Sequence, residues 1–313
     1  MQKVIAFFQL IRWPNLLYIA ITQIVFYTAI YIPLASVSYE AILHDFTFFL
    51  LIGASVSIAA GGYVINDYFD VMIDSVNKPQ KLVLGPVIKK RAAILWHLLF
   101  SMIGLYCSFM VSFQSGQWSI FILNISAVFL LWFYSTRLKK SLLLGNILVS
   151  ALTAWVIWVV YLYLVKGWDV DYLHQSETAI RLRQFFKMTV IYSGFSFVTN
   201  LIREVVKDLE DMEGDRKFGA KTMAIEWGVP VAKTFAGVWI VVLIGAVLII
   251  SVYAWLTALY IYSVFLSMTV SLPFIYILYM LKNAETSIHY HKISVWIKWV
   301  ILAGIISMYL LNL

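Results

Sequence analysis

The chain has 313 residues, of which 62% are hydrophobic and only 12% are charged, with a formal net charge of +7. Soluble domains carry about 25% charged and roughly 45–50% apolar residues, so this composition excludes a water-soluble domain and points to a chain dissolved in lipid. The single cysteine, Cys107, excludes an internal disulfide framework and a thiolate metal site.

The first residues, M-Q-K-V-I-A-F-F-Q-L-I-R-W-P-N, have no short apolar core followed by a small-residue cleavage site, and Arg12 interrupts the run, so the amino terminus is expected to be retained. A bilayer core takes about 20 mostly apolar residues per helix, because unpaired backbone groups cannot face hydrocarbon. Nine stretches meet that criterion: 15–31, 46–64, 92–113, 118–134, 146–164, 188–202, 235–253, 256–280 and 296–311. The sixth reaches spanning length if it begins near Phe185. Pro14 stands at a helix start, Pro79 and Pro86 belong to a loop, and Pro273 is placed to kink the eighth span. Gly61-Gly62 allows close approach of a helix or a ligand. The expected architecture is an all-α polytopic membrane protein, one domain over residues 1–313, with acidic loops at about 66–91 and 203–233.

Positive residues favour the cytoplasmic ends of spans. With the amino terminus inside, 19 of the 23 Lys and Arg fall on inside segments and the adjoining span ends. The other four, Lys166, Arg181, Arg183 and Lys187, all lie between the fifth and sixth spans. This bias supports both the count and an orientation with the amino terminus and acidic loops cytoplasmic, as in a cell inner membrane. It also accounts for the net charge without a nucleic-acid partner.

Nine of the 16 Asp and Glu sit in two windows that open on that same face. Asp67, Asp70 and Asp74 belong to N-D-Y-F-D-V-M-I-D; Glu204, Asp208, Glu210, Asp211, Glu213 and Asp215 fall within R-E-V-V-K-D-L-E-D-M-E-G-D. Each window contains D-x-x-D-x-x-x-D, and Asn66 stands four residues before Asp70. Residues three or four apart share a helix face, where like charges repel. A hard divalent cation relieves that repulsion, and Mg2+ prefers carboxylate, carbonyl, water and phosphate oxygens. His44, His97, His174, His289 and His291 are scattered and offer no softer metal a site.

A ligand bridged between two acidic clusters is polyanionic, and diphosphate fits. Lys78, Lys81, Arg137, Lys139, Arg203, Lys207, Lys217 and Lys221 share the face and are candidates for phosphate oxygens that the metals leave free. Asn15, Asn66, Tyr68, Tyr134, Asn146 and Asn200 add polar groups near the same span ends. The implied chemistry is departure of diphosphate from an allylic chain, with Asp70, Asp74, Asp211 and Asp215 as the catalytic carboxylates. Glu210 and Glu213 read as loop solvation, Lys139 and Lys140 as topology signals, His97 as a packed or pore-facing helix residue, His289 and His291 as part of the loop before the ninth span, and Asp169, Asp171 and Glu177 as surface charge on the opposite side.

N-D-Y-F-D-V-M-I-D and R-E-V-V-K-D-L-E-D-M-E-G-D-R-K-F-G-A-K-T resemble the two signature loops of the UbiA superfamily of intramembrane prenyltransferases. The resemblance covers essentially the whole chain and implies nine helices around a central cavity with a lateral opening to lipid. Asn66, Asp70 and Asp74, with Asp67 beside them, match the first motif's metal and diphosphate positions; Asp208, Asp211 and Asp215 match the second. Arg203, Lys207 and Lys221 match positions implied to contact diphosphate, while R-W-P-N ending at Asn15 and Y-S-T-R from Tyr134 to Arg137 resemble segments facing the pocket. In one departure, many members read N-R-P-x-R-P-I where this chain reads N-K-P-Q-K-L-V-L-G from Asn77. Lys78 and Lys81 keep the charge but lack arginine's bidentate fork, and Leu82 lacks the second proline's restraint.

The resemblance implies Mg2+-dependent transfer from a polyprenyl diphosphate donor to a hydrophobic lipid or aromatic acceptor, within membrane lipid. The second motif resembles the glycerol-lipid and chlorophyll-type branches more than the 4-hydroxybenzoate branch, which favours a geranylgeranylglycerol phosphate acceptor, with an aromatic quinone precursor as the alternative. A transporter or channel is the competing class. It predicts polar residues deep within several spans, whereas here they gather at one side.

Overall fold

The computed structural model describes residues 2–166 and 176–311, the side chains of Lys81 and Ser176 excepted. Among the described residues no strand forms, and nine helices are long and apolar enough to cross a bilayer. They are α1 (Trp13–Ala35), α2 (Phe46–Asn77), α3 (Lys90–Ser115), α4 (Trp118–Thr136), α5 (Leu144–Val165), α6 (Glu177–Glu210), α7 (Val229–Leu256), α8 (Tyr260–Asn283) and α9 (Ser287–Leu310). Each helix packs on the next in the chain, and α9 returns against α1 to close the circle. A shorter helix, Gln2–Leu10, precedes α1.

All nine expected spans are present, and the differences lie at their ends. At 32 and 34 residues, α2 and α6 overshoot the roughly 20 residues that hydrocarbon demands. The acidic stretches expected as loops are therefore largely helical: residues 66–74 lie on α2 and residues 203–210 on α6. No breaker interrupts the first stretch, and its Val71 and Ile73 are buried, so the helix continues until Pro79 disfavours helical geometry at Lys78. In α1 and α8 a π-helical turn, Phe26–Tyr31 and Ser267–Ser271, stands just before Pro33 and Pro273. A proline lacks an amide and crowds the carbonyl four residues back, and the wider turn accommodates both. Pro273 thus acts on α8 through a bulge.

Lipid is as apolar as leucine, so close backbone approach and polar contacts hold such helices together. The α2–α3 seam shows both. A Cβ added at Gly104 would lie 2.6 Å from Ile58 Cγ1 and 3.1 Å from the Ile58 amide nitrogen. The Gly61 carbonyl meets His97 Nδ1 at 3.0 Å, so Gly61 serves helix contact and, of the two alternatives, His97 is the packed residue. Outward-facing Leu95, Met102, Phe129 and Ile249 are exposed, as lipid contact requires.

The two ends of the bundle differ chemically. At one, Asp45 caps α2 by accepting from the Phe48 amide at 2.9 Å, and also accepts from Tyr163 of α5 at 2.6 Å and Tyr27 of α1 at 3.3 Å. Glu177 pairs there with Arg181 at 2.6 Å; Asp169 and Asp171 lie outside the described residues. The other end gathers Arg12, Lys78, Lys139, Lys207 and both acidic motifs through the contacts described below.

Gly104→Val should cost about 1–3 kcal/mol by forcing α2 and α3 apart, seen as a lower thermal unfolding midpoint in detergent. Gly245→Ala, whose added Cβ meets nothing within 4 Å, should leave the midpoint unchanged or raise it.

Candidate active site

The first acidic motif is read from one face of α2. Asn66 Nδ2 donates to Asp70 Oδ2 at 2.6 Å, and the Lys139 ammonium, from the 3-10 turn Leu138–Lys140 after α4, donates to the same oxygen. Asp70 is only 3% exposed. Asp67, displaced round the helix, accepts from Arg12 Nη2 at 2.6 Å. Arg12 has φ 52, in the left-handed region that strains a non-glycine residue, and forms the turn between Gln2–Leu10 and α1. The Asp67 ion pair and the Tyr63 ring, 5.1 Å from the guanidinium, hold it there. Asp67 raises the Arg12 pKa, against the opposing effect of burial.

The second motif begins on α6 and ends on a separate short helix. Glu204 accepts from Lys207 at 2.6 Å and from Arg203 at 3.2 Å, while Asp208 turns toward α5 and accepts from Asn146 Nδ2 at 2.8 Å. Beyond Glu210 the chain bends at Asp211 into Met212–Lys217, which carries Asp215, 6% exposed.

Asn77 and Lys78 join the motifs. Asn77 Nδ2 donates to the Asp211 carbonyl at 2.8 Å, and Asn77 Oδ1 accepts from the Gly214 amide at 2.7 Å. Lys78 Nζ lies 2.6 Å from Asp211 Oδ1 and 3.2 Å from Glu210 Oε1, and Glu210 also meets His291 Nδ1 of α9 at 3.0 Å. Burial opposes the charge on Lys78 and on Lys139. The carboxylates around them, Asp211 and Glu210 for one and Asp70 for the other, prevail and raise both pKa values. The Asp215 carboxyl is pushed up to about 6, first by burial, with Lys139 opposing and the charges of Asp211 and Asp70 adding. Lys139 thus influences carboxylates of both motifs.

Several expectations need correction. Lys139, read both as a phosphate candidate and as a topology signal, sits on Asp70; Glu210, read as loop solvation, is a buried anchor for Lys78; and His291, read as a loop residue, contacts that anchor. Asn77, three residues past Asp74, lies outside both D-x-x-D-x-x-x-D patterns and carries no spacing signal of its own. Arg137 is exposed, with its guanidinium 5.9 Å over the Phe133 ring of the preceding helix. The Lys221 side chain is exposed, and its amide donates to the Lys140 carbonyl at 2.8 Å. Tyr134 interacts electrostatically with Glu204, Lys139, Asp208 and Asp70, and Asn15 accepts from Lys298 at 3.3 Å. Asn200 bonds its own helix, to the Ser196 carbonyl. Lys81 ends the turn Pro79–Lys81, and its side chain lies outside the described residues.

Among the described residues no three His, Cys, Asp or Glu side chains converge to cage a metal by themselves. That suits Mg2+, which is commonly held by one or two carboxylates together with water and substrate phosphate. The donor set is all oxygen, and Asn66 Oδ1 is buried without a hydrogen-bond partner beside Asp70, so the residues present fit a hard cation. Asp67 and Asp208 are engaged by Arg12 and Asn146.

The UbiA prenyltransferase family model matches residues 14–304. The digeranylgeranylglyceryl phosphate synthase of Methanosphaera stadtmanae is 26% identical over 272 residues, covering 84% of this chain and 88% of that protein. The protein of the same name from Thermococcus sibiricus is 29% identical over 168 residues, 54% of this chain, and the match spans about half that relative's length, 52%. A solved structure described as digeranylgeranylglyceryl phosphate synthase in membranes superposes with a TM-score of 0.60 at 25% identity, covering 99% of both chains.

Asn77→Ala removes both bonds of the junction and should cost about 1–3 kcal/mol, with the Gly214 amide exchanging hydrogen faster. Gly214→Ala, which places a methyl 2.6 Å from Asn77 Oδ1, should have the same effect. Unchanged exchange at Gly214 in Asn77→Ala would refute the junction.

Proposed function

The chain belongs to the UbiA prenyltransferase family, and we propose that it transfers a polyprenyl group from an isoprenyl diphosphate to the hydroxyl of a lipid acceptor of the geranylgeranylglycerol phosphate type, with Mg2+ as cofactor. The observation that carries this reading is the Asn77 junction, which brings together two acidic motifs 134 residues apart. The result is an oxygen-rich site with resident ammonium groups at the end of an apolar bundle, suited to a diphosphate whose tail stays in lipid-like surroundings. The named relatives support the acceptor class.

In this reading Asp70 and Asp74, with Asn66 Oδ1, on one side and Asp211 and Asp215 on the other would supply the protein oxygens to Mg2+, one or two to an ion, with substrate phosphate and water completing the set. Bound Mg2+ would supply positive charge to the leaving diphosphate oxygens. Lys78 and Lys139 would donate to phosphate oxygens. The allylic C–O bond to diphosphate breaks, the acceptor oxygen bonds to the same carbon to give an ether, and diphosphate departs, taking up the hydroxyl proton. The apolar helices keep water from intercepting the electron-poor carbon. The excess of Lys and Arg at this end supports its placement on the cytoplasmic side of a cell inner membrane.

Purified protein given labelled geranylgeranyl diphosphate, Mg2+ and a panel of glycerol-phosphate and aromatic acceptors should join the chain to the former. Chelation should abolish product and added Mg2+ restore it. Asp70→Asn and Asp211→Asn should each lower kcat roughly 100-fold or more; wild-type turnover in both would sink the site assignment.

A further inference from the structure

Resting on the prenyl-transfer reading, we infer that a cationic cluster at the start of α1 and along the inner halves of α6 and α9, apart from the Asn77 junction, holds the phosphate monoester of the acceptor. On α6, Arg203 and Lys207 are four residues apart and share a stripe, whereas Asp208, one position round the helix, is hydrogen-bonded by Asn146 of α5. Arg203 interacts electrostatically with Tyr18 of α1 and Tyr63 of α2, and Lys207 with Arg12. From α9, Lys298 donates to Asn15 Oδ1 at 3.3 Å, and its carbonyl accepts from the Tyr18 hydroxyl at 3.4 Å.

Two features point to an anion. The first is charge: Arg203 and Lys207 share the one carboxylate of Glu204, with Arg12 close enough to act on Lys207, so on this stripe the cations outnumber the carboxylate they pair with, which favours an anion. The second is an orphan. The Arg203 side chain is 11% exposed and its Nε is buried without a hydrogen-bond partner. A guanidinium cannot shed its proton, and an unpaired buried donor is costly; a phosphate oxygen satisfies both conditions.

The donor diphosphate has its own cations. Lys78 and Lys139 pair with Asp211 and Asp70, which belong to the two D-x-x-D-x-x-x-D patterns, whereas Arg203 and Lys207 pair with Glu204, which belongs to neither. Arg203 and Lys207, implied by resemblance to contact diphosphate, therefore serve the acceptor. The cluster selects phosphorylated over neutral acceptors and tethers the acceptor by its head.

The test compares wild type with Arg203→Gln and Lys207→Gln, both checked for an unchanged unfolding midpoint, and with Lys298→Met as a substitute for either variant that fails to fold. Geranylgeranylglycerol phosphate is titrated against fixed geranylgeranyl diphosphate, and the reverse. Binding of the phosphorylated acceptor alone is read from thermal stabilisation without donor or metal. The expected result is a rise of about tenfold or more in acceptor KM, donor KM within about twofold of wild type, and loss of the stabilisation. Dephosphorylated geranylgeranylglycerol should bind wild type no better than the phosphorylated lipid binds Arg203→Gln. A rise in donor KM with acceptor KM unchanged, or equal use of the dephosphorylated lipid by wild type, would overturn the inference. Absence of product from every acceptor would sink the transfer reading alone, because acceptor binding is measured separately.

Discussion

Asn77 donates to the Asp211 carbonyl and accepts from the Gly214 amide, while the adjoining Lys78 places its ammonium against Asp211 and Glu210. Two helix ends rich in like charge are held together by one neutral amide and one cation. The amide satisfies a backbone donor and a backbone acceptor at the bend after α6; the cation offsets repulsion that would otherwise drive the motifs apart. At 4 Å two unit charges interact by about 1 kcal/mol in water and about 4 kcal/mol at the effective dielectric near a protein surface. At the edge of a membrane bundle, compensation of this kind governs which helix ends can meet.

Charge is sorted across the site. Lys139 and Lys78 sit on carboxylates of the two acidic motifs, and Arg12 is tied to Asp67. On α6, Arg203 and Lys207 share the single carboxylate of Glu204. A donor that brings a metal–diphosphate and an acceptor that brings a phosphate ask for different surroundings, and helix periodicity offers them: neighbours on α6 such as Lys207 and Asp208, about 100° apart round the helix, reach different partners, one Glu204 and the other Asn146.

The scaffold supplies rigidity where it matters. Because α2 and α6 continue past the hydrocarbon as helices, their carboxylates are positioned by regular backbone geometry rather than by mobile loops. The Gly104 and Gly61 contacts lock α3 against α2, and Asp45 binds α1, α2 and α5 at the far end. Arg12 gives the turn before α1 a direct charge link to α2.

Spanning helices are legible because hydrocarbon imposes a length and an apolar composition on each, and the two acidic windows stand out because charge is otherwise scarce. Spacing of three and four also placed Asp70 with Asn66 correctly, since that relation is internal to one helix. Partners between helices leave no such trace. Lys139 looks like any inside lysine, yet it meets Asp70 69 residues away; Glu210 and Asn77 become part of the site only because Lys78, His291 and Gly214 arrive from elsewhere. Sequence by itself determined the lipid-soluble all-α class, the nine spans and the oxygen-ligand chemistry, because each depends on local composition or helical period. Only the tertiary structure decided which cation faces which carboxylate, because that pairing depends on how helices distant in sequence converge at one end of the bundle.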